Sequence, residues 1–115
     1  MKSIEDLEVF LLAKELGIDI YRITKNFPKE EIFGLTSQMR RAAVSICSNL
    51  AEGGSRISGG ELKQFVGIAR GSAGELKFQL MFANDLGYVG ENNFMSIKQK
   101  ADRVHKMLTG LLKTI

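Results

Sequence analysis

Four stretches of this chain repeat apolar side chains at spacings of three and four, and only short joints separate them. That period collects the apolar groups on one face of an α-helix. Val9, Leu12, Leu16, Ile20, Ile23 and Phe27 form the first seam. Phe94, Ile97, Ala101, Val104, Leu108, Leu111 and Ile115 form the last. No segment shows the strict alternation of a half-buried strand. Short joints make consecutive helices antiparallel neighbours, so the pattern predicts an all-α, antiparallel up-and-down four-helix bundle. It is expected to be a single domain over residues 1–115, with helices near 4–26, 36–52, 59–86 and 93–114.

The joints carry recognisable stop and start signals. Ser3-Ile4-Glu5-Asp6 is a variant capping box, and Ser58-Gly59-Gly60-Glu61 is a second one. Pro28 disfavours helical geometry at Phe27 and so ends the first helix. Gly53-Gly54 is expected to close the second helix in a left-handed conformation, and Gly87 to close the third. Asn92 or Asn93 is expected to cap the fourth.

The bulk numbers narrow the class. Apolar residues make up 44% and charged residues 25%, as in an ordinary soluble domain. No apolar run approaches the roughly 20 residues that cross a bilayer. The acidic first turns are unlike a targeting peptide, and the single Cys47 fits a reducing compartment, so a cytoplasmic location is expected. Net charge is +3, with the basic excess in residues 34–60 and 91–115. That distribution is compatible with a polyanion partner.

On helix 2, Leu35, Met39, Ala42, Ala43, Ile46 and Leu50 point to the core, with Gln38, Arg41, Ser45, Asn49 and Glu52 in an adjoining sector. The remaining face, Thr36, Arg40, Val44, Cys47 and Ala51, is poor in charge for a solvent face. Helix 3 repeats the pattern. Leu62, Phe65, Ala69, Leu76, Leu80 and Ala83 point inward, while Gln64, Ser72, Glu75 and Gln79 line the next sector. Arg41 and Glu75 have the types to pair across helices 2 and 3, with Gln38, Asn49, Glu52 and Gln79 completing the hydrogen bonds. The polar residues therefore read first as a structural seam, and only second as a ligand or RNA site.

A third surface of helix 3 holds Gly67, Gly71 and Gly74, continuing into Phe78, Met81 and Phe82. A mid-helix glycine costs about 1 kcal/mol relative to alanine. Close approach of another backbone would offset that, and exposed Phe78 and Phe82 beside it would mark an oligomer interface. Candidate phosphate contacts are Arg40, Arg56, Arg70, Lys98, Lys100, Arg103, Lys106 and Lys113. No series of exposed aromatics for base stacking is evident.

Catalysis is not expected. His105 is the only histidine and reads as a surface residue, and Cys47 reads as a small buried apolar group. Di-iron bundles use several inward glutamates and E-x-x-H motifs, which are absent here. AEGGSRISGGE lacks the lysine and spacing of a phosphate-binding loop and reads as a turn. No metal or cofactor is therefore expected.

FP at 27–28, GLTSQMRRAAVSICSNLAEG at 34–53, Arg56, IARGSAGE at 68–75, Gln79 and LGY at 86–88 together resemble one family. It is the four-helix-bundle proteins encoded by intervening sequences of 23S ribosomal RNA genes. Phe10 stands where many relatives have tryptophan, and Cys47 where many have proline, which removes a kink from helix 2. The resemblance implies a left-handed bundle assembling as a homopentameric ring. It also implies kinship with the accessory variability determinant of diversity-generating retroelements, and through it RNA or ribonucleoprotein binding. The alternative is a scaffold for protein contacts with no nucleic-acid role.

Overall fold

The structure, a computed structural model, describes Ile4, residues 7–56 and residues 58–115. Its helices are α1 (Glu8–Thr24), α2 (Leu35–Gly54), α3 (Gly59–Asp85) and α4 (Glu91–Leu112), with a 3-10 turn at Lys29–Glu31. α1 and α3 each pack against both α2 and α4, and the diagonal pairs do not meet. This is the square cross-section of the expected four-helix bundle. The 27 residues of α3 extend about 40 Å at 1.5 Å per residue, close to the 43 Å long axis of the molecule.

The core is built in layers from all four helices. Leu16, Ile20, Met39, Ile46, Leu50, Leu76, Leu80 and Leu108 are its largest fully buried side chains, with Val66 and Val104. Ala13, Ala43, Ala69, Ala73, Ala83 and Ala101 are buried among them. Those small residues shift the seams from where large side chains alone would put them. Leu12, Ile23, Leu62 and Phe65 are half-buried, while Ala13, Val66 and Ala73 are enclosed. Thr24 and Thr36 are enclosed too, although the helical period puts Thr36 on the outer face. Thr24 is satisfied there, donating from Oγ1 to the Ile20 carbonyl at 2.7 Å.

Several helix ends differ from expectation. α1 begins at Glu8 with Leu7 as its extended N-cap, whose carbonyl accepts from the amides of Phe10 and Leu11. The Ser3–Asp6 box lies, apart from Ile4, outside the described residues. α2 runs unbroken through Cys47 and includes both Gly53 and Gly54, with Ser55 as a right-handed cap. Gly53 serves close packing instead: a Cβ there would meet Phe65 Cβ at 2.9 Å and Leu62 Cδ1 at 3.2 Å. α4 is capped by Gly90, so Asn92 and Asn93 lie inside its first turn. At the end of α3 the expectation holds. Gly87 has φ of 79°, and the amides of Gly87 and Tyr88 donate to Asn84 and Ala83. That pair of bonds is a Schellman cap. Ser58 likewise caps α3, accepting from the Glu61 amide at 3.1 Å.

A small anchor joins the two loops at one end of the bundle. One Glu31 carboxylate oxygen accepts from the Leu35 amide at 3.2 Å, capping α2 from outside. The other accepts from the Tyr88 hydroxyl at 2.9 Å. Tyr88 also packs on Phe27, ring centroids 5.3 Å apart. A side chain at Gly34 would collide with that carboxylate at 2.8 Å.

Candidate functional site

The centre of the polar stripe does join α2 to α3. Ser45 and Ser72 share a hydrogen bond of 2.8 Å between their hydroxyls. Asn49 Nδ2 donates to the Ser45 carbonyl at 2.8 Å and its hydroxyl at 3.0 Å. Gln79 is 5% exposed and donates from Nε2 to Glu75 Oε1 at 3.0 Å. Its own Oε1 is buried without a hydrogen-bond partner among the described residues.

Outside that centre the stripe opens to water. Arg41, Gln38, Glu52 and Glu75 are all exposed. Among the described residues Arg41 forms no ion pair with Glu75, and Glu52 pairs with Arg56 at the far end of α2. A helical wheel fixes the sector a side chain occupies, not the partner it reaches. Here α2 and α3 pack closely enough for the Ser45 and Ser72 hydroxyls to meet, while the longer Arg41 and Glu75 side chains extend into solvent.

The result is a groove of about 720 Å³ along α2, floored by Ala42, Ser45 and Ser72 and bordered by Gln38, Arg41, Ser48 and Glu75. Phe33 and Tyr21 stand at its edge. Phe33 is 94% exposed. Tyr21 lies under the Arg40 guanidinium, 4.8 Å from ring centroid to Cζ. Phe33 and Tyr21 are isolated exposed aromatics, not a stacking series, and neither carries a local sequence signal that would mark it.

The eight candidate phosphate contacts divide sharply. Arg40 is drawn inward, donating from Nε to Thr24 Oγ1 at 2.9 Å. Arg56 pairs with Glu52 and Glu61 and covers the Phe65 ring at 5.0 Å. Lys98 pairs with Asp102 at 2.8 Å, and Arg103 with Glu8. Lys100 is 19% exposed and bridges to Glu15 at 3.2 Å and Asp19 at 2.6 Å. The carboxylates around it raise its pKa, Asp19 first. Much of the basic charge of α4 is thus spent on the acidic face of α1. Arg70, Lys106 and Lys113 stay exposed with no ion pair among the described residues.

The glycine-lined surface of α3 is open. Nothing lies within 4 Å of a Cβ built on Gly67 or Gly71. Gly74 differs, because the His105 ring of α4 lies 3.9 Å from that position. His105 is therefore half-buried between helices instead of standing on the surface. Burial, then Lys77 and Arg70, lower its pKa, and Asp102 opposes them. Phe78 is 60% exposed, with Phe82 6.1 Å away ring to ring, and Ile68 and Met81 are also exposed. Cys47 is half-buried, and burial raises its thiol pKa against the opposing effect of Lys14. A raised pKa keeps the sulfur protonated and weakly nucleophilic at neutral pH. Among the described residues no helix is long and apolar enough to cross a membrane.

A family model for the 23S rRNA-intervening sequence protein matches residues 5–110. The chain belongs to this family. A solved member of the S23 ribosomal protein family from Bacteroides thetaiotaomicron, described as a protein with unknown function, has a similar fold. The TM-score is 0.82 at 22% identity, over 91% of this chain and 98% of that one. No curated protein matches the chain. For the intervening-sequence protein, the motifs at 27–28, 34 and 86–88 now have a physical role. Phe27, Gly34 and Tyr88 meet at the Glu31 anchor.

Proposed function

We propose that this intervening-sequence protein is a non-enzymatic, homo-oligomeric bundle that binds RNA or a ribonucleoprotein through the α2–α3 groove. One observation carries the reading: Arg41 is an exposed cation in a groove lined by hydroxyls and amides and edged by Phe33 and Tyr21. A guanidinium and hydroxyls suit phosphate and 2′-hydroxyl groups, and an exposed aromatic suits an unstacked base. In an oligomer, such as the pentameric ring implied by the resemblance, each groove would be repeated and weak contacts would add through avidity.

The test is a filter-binding titration with 23S-derived RNA at several salt concentrations. Binding should weaken linearly in log–log form as salt rises, and Arg41→Glu and Phe33→Ser should each weaken it by about tenfold. Salt-independent binding, or variants that bind as well as the wild type, would sink the groove. The second reading is a protein-contact scaffold, favoured by the exposed Ile68, Phe78, Met81 and Phe82. It expects a protein partner that survives nuclease treatment.

A further inference from the structure

A second groove, of about 400 Å³, lies between α1 and α2. Small residues, Gly17, Ala43 and Cys47, form its floor, and Ile18, Tyr21 and Val44 line its sides. Those three are each between 42% and 49% exposed. Its charged lining is Lys14, Arg22 and Lys25, with no carboxylate. None of the three forms an ion pair among the described residues. α1 is thus electrically two-sided. Glu8, Glu15 and Asp19 are matched by Arg103 and Lys100 of α4, while the cations border a half-exposed apolar furrow. Exposed Leu11 continues the apolar line one turn beyond Lys14. From Lys14 to Lys25 the furrow runs about 16 Å along the helix axis.

We infer that this groove seats an acidic amphipathic helix of a partner protein. The small floor allows a third helix to approach, the aliphatic sides receive its apolar face, and three cations with no acidic neighbour select carboxylates at its flanks. Helix-in-groove recognition uses this combination of apolar anchors and a charged rim. RNA suits it less well. Ile18, Ala43 and Val44 offer base edges no hydrogen bond. A second copy of the chain is also a poor occupant through its exposed α3 face. Phe78 and Met81 line a surface whose carboxylate, Asp102, is already paired with Lys77 and Lys98, so it offers the three cations of the groove no free acid. The inference does not rest on RNA binding.

Fluorescence anisotropy of the full chain with a labelled synthetic helix tests it. The probe has about 16 residues, with leucines at helical spacing flanked by glutamates. It should bind, and a scrambled peptide of equal composition should bind about tenfold more weakly or worse. Val44→Asp, and separately the triple change Lys14→Glu, Arg22→Glu and Lys25→Glu, should each cost about tenfold while circular dichroism stays unchanged. A peptide with lysines in place of glutamates should recover binding to the charge-reversed triple. Equal binding of the scrambled peptide overturns the inference, as does a failure of the charge swap. So does displacement of the probe by a polyuridine RNA, or a Val44→Asp effect on molar mass in place of probe affinity.

Discussion

Glycines at different places in this bundle do opposite things, and substitution should separate them. At Gly53 a methyl group would press on Phe65 and Leu62 of α3. Gly53→Ala should therefore cost about 1–3 kcal/mol, read by urea denaturation. At Gly67 and Gly71 the space is open, so alanine should stabilise the unassembled chain by about 1 kcal/mol at each position. If the open strip receives a neighbouring subunit, light scattering of the same variants should give a smaller species at matched concentration. His105 supplies the pH dependence at this scale. Its folded pKa lies below the ordinary 6.5, burial being the first cause. The unfolded chain then takes up the proton first as pH falls, so the contribution is complete above that value and is lost below it. Stability measured from pH 7 down to pH 5 should fall less steeply in His105→Gln.

Among the elements, the α1–α2 joint depends on Glu31. Its carboxylate caps α2 at the Leu35 amide and receives the Tyr88 hydroxyl from the α3–α4 loop. The same hydrogen bond is the first cause of a raised Tyr88 pKa. Glu31→Ala removes a helix cap and should cost about 1 kcal/mol, with Glu31→Gln intermediate, measured by thermal or chemical unfolding. The helices themselves were legible from period and joints. Gly87 and Ser58 were legible as caps because their chemistry is local. The Glu31 anchor was not, since its partners are 4 and 57 residues away and nothing local announces them.

Across the whole molecule, charge and apolar surface are sorted by face. α4 and α1 neutralise one another through Lys100 and Arg103, whereas α3 leaves Phe78 and Phe82 in water. A patch of this kind on a small domain usually marks an interaction site. Phe78→Asp combined with Phe82→Asp should leave the helical content unchanged, because both side chains are exposed. If these residues mediate assembly, the double variant should be smaller than the wild type by light scattering at the same concentration. An unchanged molar mass would remove them from any interface.

The sequence by itself determined the four helices, their antiparallel order, most of the core and membership of the intervening-sequence protein family. Helical period, glycine and serine caps and a specific motif are all properties of neighbouring residues. Only the tertiary structure decided what the polar and basic residues do. The wheel aligned Arg41 with Glu75, but in the packed bundle both stand in solvent. The composition counted Lys98, Lys100 and Arg103 as available cations, but Asp102, Asp19 and Glu8 lie within reach once the helices pack. A side chain's charge is written in the sequence, whereas its partner is set by which helices become neighbours.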